Sequence, residues 1–218
     1  MPTISSVWYW SLPFLPFTAA LTLILTLIIC TVLPNNAPSG ELPHISELGT
    51  GDAHVMFVIG FILLLPQMLM IIIGRLQLLI ETQTHIPKFI LYFIHVIPIV
   101  SGIFMLIMAI VSVDSNQQLH LTGAYGMFIL ISVYLLLHTI LILYLWLKQR
   151  NTPKHARIFY FLYYLACTIL LVIFFCIWLS TSKAIPEYLA SVAPFLYFIG
   201  FVPQFWARRR YPFENFSE

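Results

Sequence analysis

Charge is what this 218-residue chain has least of: Asp, Glu, Lys and Arg together make up 8% of it. A soluble domain carries about 25% charged residues, so no water-facing surface can be assembled from this sequence. Apolar residues supply 61% and the mean hydropathy is +0.95, the composition of an integral membrane protein. With a net charge of +2 and no basic patch interleaved with aromatics, there is no footprint for nucleic acid. Cysteine is scarce as well. Cys30, Cys167 and Cys176 all fall within apolar runs, at spacings that match no zinc motif and build no disulfide framework in a loop. The signatures of hydrolytic chemistry are missing: there is no G-x-S-x-G nucleophile elbow and no H-E-x-x-H pair. No Asp, Glu or Lys stands in the middle of an apolar run, where an ionisable group would mark function by default. The reading therefore names no catalytic residue, no metal site and no cofactor.

What the chain does have is long apolar runs. Residues 11–33, 54–74, 89–113, 121–147, 158–179 and 188–207 each reach the roughly 20 residues that cross a hydrocarbon core. The expected fold is all-α: a polytopic membrane protein, one domain over residues 1–218, with six transmembrane helices in one bundle. Arg75 is taken to close the second span, and Pro66-Gln67 to kink it, since proline removes a helical hydrogen bond. A cleaved signal peptide is the rival reading of the first run. The lack of a basic n-region, the length of the run and the lack of a small-x-small cleavage site weigh against it.

Orientation follows from the basic residues. With the N-terminus cytoplasmic, Arg75, Lys88, Lys148, Arg150, Lys154, Arg157, Arg208, Arg209 and Arg210 face inward and Lys183 alone faces outward. Nine against one is a strong positive-inside bias over short loops, so both termini are expected in the cytoplasm. Trp8, Trp10, Trp146, Trp178 and Trp206 all lie at span ends, as an aromatic belt requires. Arg208-Arg209-Arg210 is the strongest cytoplasmic charge feature. With Lys148, Arg150, Lys154 and Arg157 it forms a basic face toward anionic headgroups, topology anchoring being its ordinary role.

The largest polar break among the first 147 residues runs from Pro34 to Asp52, dense in Pro and Gly and free of Lys and Arg. On the same membrane face the topology places His44, Glu47, Asp52, His54, Asp114, His120 and Glu187. Zinc accepts His and carboxylate ligands, but none of these residues has diagnostic spacing, and a solvated rim with helix caps is the simpler account. Asp52 and Glu187 stand where they would cap the second and sixth spans. His95 and His138, within spans, read as neutral imidazoles bonded to neighbouring helices, and Gln67 as interhelical glue.

Three stretches carry a resemblance. Leu42-Pro43-His44-Ile45-Ser46-Glu47-Leu48-Gly49 resembles the P-x-I-S-x-x-G signature of the DRAM/FRAG/Sfk family of six-span membrane proteins. His120-Leu121-Thr122-Gly123-Ala124 with Phe128 is similar to that family's entry to its fourth span, and Glu187-Tyr188 to the acid–aromatic pair opening its sixth. The resemblance covers essentially the whole chain. It implies a mostly non-catalytic membrane regulator, acting in autophagy at lysosomal or other endomembranes or in phosphoinositide-linked processes at the plasma membrane. Its other branch implies a factor that remodels the lipid of GPI anchors in the Golgi. Membrane lipids, with membrane or cytoplasmic proteins, are the partners so implied. On this reading His44, Ser46, Glu47, His120 and Glu187 cluster on the lumenal side and contact a headgroup or partner. A histidine in that cluster responds to an acidic lumen.

Overall fold

The computed structural model describes residues 4–34, 42–83, 85–148 and 158–210. Among these residues all regular structure is helical. The elements are α1 (Ile4–Ser11), α2 (Leu15–Val32), α3 (Ile45–Leu48), α4 (His54–Thr82), α5 (Lys88–Ile110), α6 (Gln117–Lys148), α7 (Ile158–Thr181), α8 (Ala184–Ile199) and α9 (Val202–Arg210). A single 3-10 turn, Gly51–Ala53, leads into α4. Six segments are long and apolar enough to span a membrane, the sixth being α8 continued by α9.

The spans form a closed ring. Each packs on the next, α2 on α4, α4 on α5, α5 on α6, α6 on α7 and α7 on α8, and the ring closes where α2 meets α8. At Gly123 the backbone of α6 comes close to that of α5. A methyl group on Gly123 would stand 2.6 Å from the backbone nitrogen of Met108 and 3.0 Å from the Phe104 carbonyl oxygen. Only a side chain without Cβ lets the two backbones come so near, which is how small residues drive packing between helices in lipid.

Three span boundaries depart from the sequence reading. The first apolar run is broken at residues 12–14, ahead of Pro16 in the opening turn of α2, so that Trp8, Tyr9 and Trp10 belong to the separate short helix α1. The second span does not end at Arg75. Helix α4 continues to Thr82, and Arg75 is 2% exposed inside the bundle, because the backbone bonds of a helix continue past any side chain that finds partners. The last span is divided at Gly200 and Phe201. Trp178 also departs from the belt: it is 8% exposed and turns into the ring, against Phe128.

The interior of the ring has two halves. Toward the basic end it is filled by Tyr134, His138, Tyr164 and Tyr197, all fully buried. Toward the α3 end it holds a cavity.

Candidate functional site

Helix α3 is a single turn whose position is fixed from several sides. Pro43 precedes its N-cap, His44, and the His44 backbone N–H donates to Glu47 Oε2 at 2.7 Å, satisfying a donor that the helix itself leaves open. Ile45 and Leu48 are buried beneath it. Thr50 Oγ1 donates to the Glu47 carbonyl at 2.6 Å, and His54 Nδ1 lies 3.0 Å from the Gly49 carbonyl oxygen, binding the turn to the start of α4. Gly49 packs directly on Phe57, where an added methyl would stand 2.8 Å from the ring. Local polar bonds thus hold α3 as a plug over the ring.

The central contact of the site joins α3 to α8. His44 Nδ1–H donates to Glu187 Oε2 at 2.6 Å, and Glu187 is 5% exposed. The sequence reading gave Glu187 a capping role. The structure corrects this: α8 begins after Lys183 without a side-chain cap bond, and the Glu187 carboxylate is turned to His44. Asp52 likewise makes no capping bond to α4, whose N-cap is Ala53. The hydrogen bond to Glu187 is the main influence on the His44 imidazole and raises its pKa above the ordinary histidine value; burial opposes this, and the charges of Glu187 and Glu47 add to the rise.

His120, predicted just before the fourth span, lies inside α6 and is 2% exposed. Its Nδ1 is 2.7 Å from the Val111 carbonyl oxygen. A carbonyl only accepts, so the ring proton is on Nδ1 and Nε2 of the neutral ring is an acceptor. That Nε2 is buried and has no partner among the described residues.

Ile45, Ser46, His120 and Glu187 line one cavity of about 60 Å³, whose remaining wall, Ser101 and Ser191 apart, is apolar and drawn from every span. Gly123 faces the α5 backbone and Tyr188 is half-buried against the core, so neither lines it. On the other side of the His44–Glu187 bond lies an open concavity of about 350 Å³ bordered by Pro43, His44, Glu47 and Lys183. The three signature stretches therefore meet: the first and third bond to each other, and all three contribute to one cavity. No three His, Cys, Asp or Glu side chains converge to hold a metal among the described residues.

Sequence reasoning missed a second polar centre. Arg75 Nε donates to His138 Nε2 at 3.0 Å, a further guanidinium N–H donates to Gln204 Oε1, and the guanidinium carbon lies 5.0 Å from the Phe201 ring centroid. His138 Nε2 thus accepts, and its Nδ1–H donates to the Tyr197 hydroxyl at 2.7 Å. Neutral acceptors and an aromatic face hold this buried charge; the ion pairs among the described residues are His44–Glu187 and Arg208–Glu81. The available signal was Leu76-Gln77-Leu78-Leu79-Ile80, which continues the apolar pattern past Arg75. Gln67 bonds to Thr22 Oγ1 at 2.9 Å, joining α4 to α2.

Of the basic face, Lys148 is exposed at the end of α6. Arg208 instead pairs with Glu81 at 2.8 Å and lies over Tyr9, which itself donates to Glu81 at 2.8 Å. Arg150, Lys154, Arg157 and the side chains of Arg209 and Arg210 fall outside the described residues, as does the Asn215-Phe216-Ser217 sequon.

No curated protein and no solved structure matches the chain. The family model of the Frag1/DRAM/Sfk1/Cwh43P N-terminal domain matches residues 8–207, and the chain belongs to that family.

Proposed function

We propose that this chain is a non-enzymatic multi-pass membrane regulator of the DRAM type, acting in autophagic and lysosomal or phosphoinositide-linked membrane processes. In this reading both termini are cytoplasmic, α3 faces the lumen or exterior, and the ligands are membrane lipids with membrane or cytoplasmic proteins. The observation that carries it is the convergence of the three signature stretches on one blind, mostly apolar cavity. Most of its polar groups are tied into structural bonds: Glu187 accepts from His44, Ser191 donates to the Glu187 carbonyl at 2.8 Å and Ser101 to the Met127 carbonyl at 3.0 Å, while His120 Nε2 has no partner among the described residues. Such a site is not built to activate a nucleophile.

A second reading, remodelling of GPI-anchor lipid in the Golgi, draws on one observation: His120 and Glu187, a base and an acid, line the same cavity. Deleting the protein from cells and following both autophagic flux and surface retention of GPI-anchored proteins separates the two. The regulatory reading expects altered flux with retention unchanged. Release of anchored proteins into the medium, with flux unchanged, would move the assignment to lipid remodelling.

A further inference from the structure

Arg75 lies seven residues before Thr82, the end of α4, which is about 10 Å along the helix, and it is 2% exposed. A guanidinium stays protonated in proteins, so a full positive charge is buried there. A buried charge calls for a partner of opposite sign. Among the described residues no carboxylate reaches it. Glu47, Asp52, Asp114 and Glu187 belong to the α3 end of the bundle. Glu81, on α4 itself, is held by Arg208 at 2.8 Å and accepts from Tyr9. The acceptors that Arg75 does have, His138 Nε2 and Gln204 Oε1, are neutral. They satisfy its hydrogens and leave its charge uncompensated.

Arg75 and Gln204 also line a small cavity of about 10 Å³, together with Thr82, Gln83 and aliphatic side chains of α4 and α6. That is room for one guest of about water size. Arg75 uses Nε on His138 and Nη1 on Gln204, and its Nη2 bonds to no described residue. An arginine only donates, so the Gln204 atom it meets is the amide oxygen. The amide orientation is thereby fixed, and Gln204 Nε2, a second donor, bonds to no described residue either. Thr82 Oγ1 is occupied, donating to the Leu78 carbonyl at 2.7 Å. A water in this space would meet the donors but not the charge, whereas a phosphate, sulfate or carboxylate group exceeds the space. A monatomic, monovalent anion meets both requirements. The cavity lies toward the basic end, where exposed Lys148 closes α6 three residues beyond Leu145 of the wall, and positive potential there draws anions in.

We propose that this cavity binds chloride as the counter-ion of Arg75, with Arg75 Nη2 and Gln204 Nε2 donating to the ion. The ion ties α4 to α9 at the basic end. The site is separate from the cavity beneath α3, and its test is independent of the regulatory reading. The full chain in dodecyl maltoside is melted while sodium gluconate is exchanged for sodium chloride at constant ionic strength. Chloride, or bromide in its place, is expected to raise the melting temperature along a saturating curve, as a ligand of the folded state does. The protein should also broaden the chloride NMR line, and bromide should reverse the broadening. Gln204→Glu sets a fixed carboxylate against Arg75 in nearly the same shape. This variant should melt in gluconate as the parent does in chloride, and its chloride broadening should fall about ten-fold. A Gln204 that serves packing alone would leave the response to chloride as it is in the parent, and that result would overturn the proposal. Equal melting of the parent in chloride and gluconate, the result for a space that holds water alone, would overturn it too. Should Gln204→Glu fail to fold, anomalous scattering from bromide-soaked crystals of the unaltered chain decides the matter. A peak beside Arg75 upholds the site, and peaks only at exposed cations such as Lys148 overturn it.

Discussion

His44 Nδ1 stands 2.6 Å from Glu187 Oε2, although 143 positions separate the two residues in the chain. The bond fastens the α3 plug to the first turn of α8 and forms the partition between the apolar cavity and the open concavity. It joins the α3 turn to the last span to be made, so its integrity reports on closure of the whole ring.

This bond makes stability depend on pH in a defined direction. The folded chain holds the His44 proton more tightly than the unfolded chain does. Its contribution is therefore complete below the unfolded value of about 6.5 and is lost as pH rises through the raised folded value. His44→Ala should lower the melting temperature in detergent at every pH, because the Glu187 carboxylate loses its donor at about 1–3 kcal/mol, and should lower it more at about pH 5 than at about pH 9, because the proton-linked part of the pair is present only on the acid side. A melting difference that stays flat across that range would show that the pair does not act as a proton-linked clamp.

Gly123 tests the close backbone contact between α5 and α6. Gly123→Ala places a methyl group 2.6 Å from the Met108 backbone, where no side chain can rotate away. Overpacking of this kind costs about 1–3 kcal/mol, and α5 and α6 must separate to absorb it. Monodisperse protein should fall in size-exclusion profiles and the melting temperature should drop. A variant that melts like the parent would mean the backbones relax freely at this crossing.

Arg75 holds α4, α6 and α9 together from inside. Arg75→Met leaves His138 Nε2 and Gln204 Oε1 as orphaned acceptors, at about 1–3 kcal/mol each. Arg75→Lys is expected to rescue only part of this, because an ammonium lacks the planar fork that reaches both acceptors at once. Thermal melts of the two variants in one detergent give the comparison. Arg75→Met as stable as the parent, or Arg75→Lys fully equivalent to it, would contradict the network.

At the basic end, Glu81 joins Tyr9 of α1 to Arg208 of α9. The Glu81 side chain is 35% exposed, so the ion pair is screened and worth about 0–1 kcal/mol. Glu81→Gln should leave global melting nearly unchanged while speeding hydrogen exchange at residues 8–11. Unchanged exchange there would show that Trp8, which donates to Gln77 at 2.7 Å, suffices to hold α1.

Much of the fold was legible residue by residue. Each of the six runs is apolar enough that transfer out of water alone determines its placement, and that sum needs no knowledge of neighbours. The errors fall where a polar residue has tertiary partners. Arg75 read as a span end because its acceptors, His138 and Gln204, lie 63 and 129 positions away. Trp178 read as a belt residue because a span end in sequence does not say which way the helix is turned. Glu187 read as a cap as well as a member of the lumenal cluster, because the local helix dipole is visible in sequence while a bond to one particular residue 143 positions away is not.

The sequence by itself determined an all-α membrane protein of six spans and, through three short stretches, its family, because hydropathy is additive and motifs are local. Only the tertiary structure decided that Ser46, His120 and Glu187 face a common cavity while Gly123 faces a backbone and Tyr188 the core. The physical reason is that helices apolar on every side carry no sequence mark of their rotation. Their facing is set by close packing at sites such as Gly123 and by the few polar groups, His44, Arg75 and Glu187, that must find partners away from water.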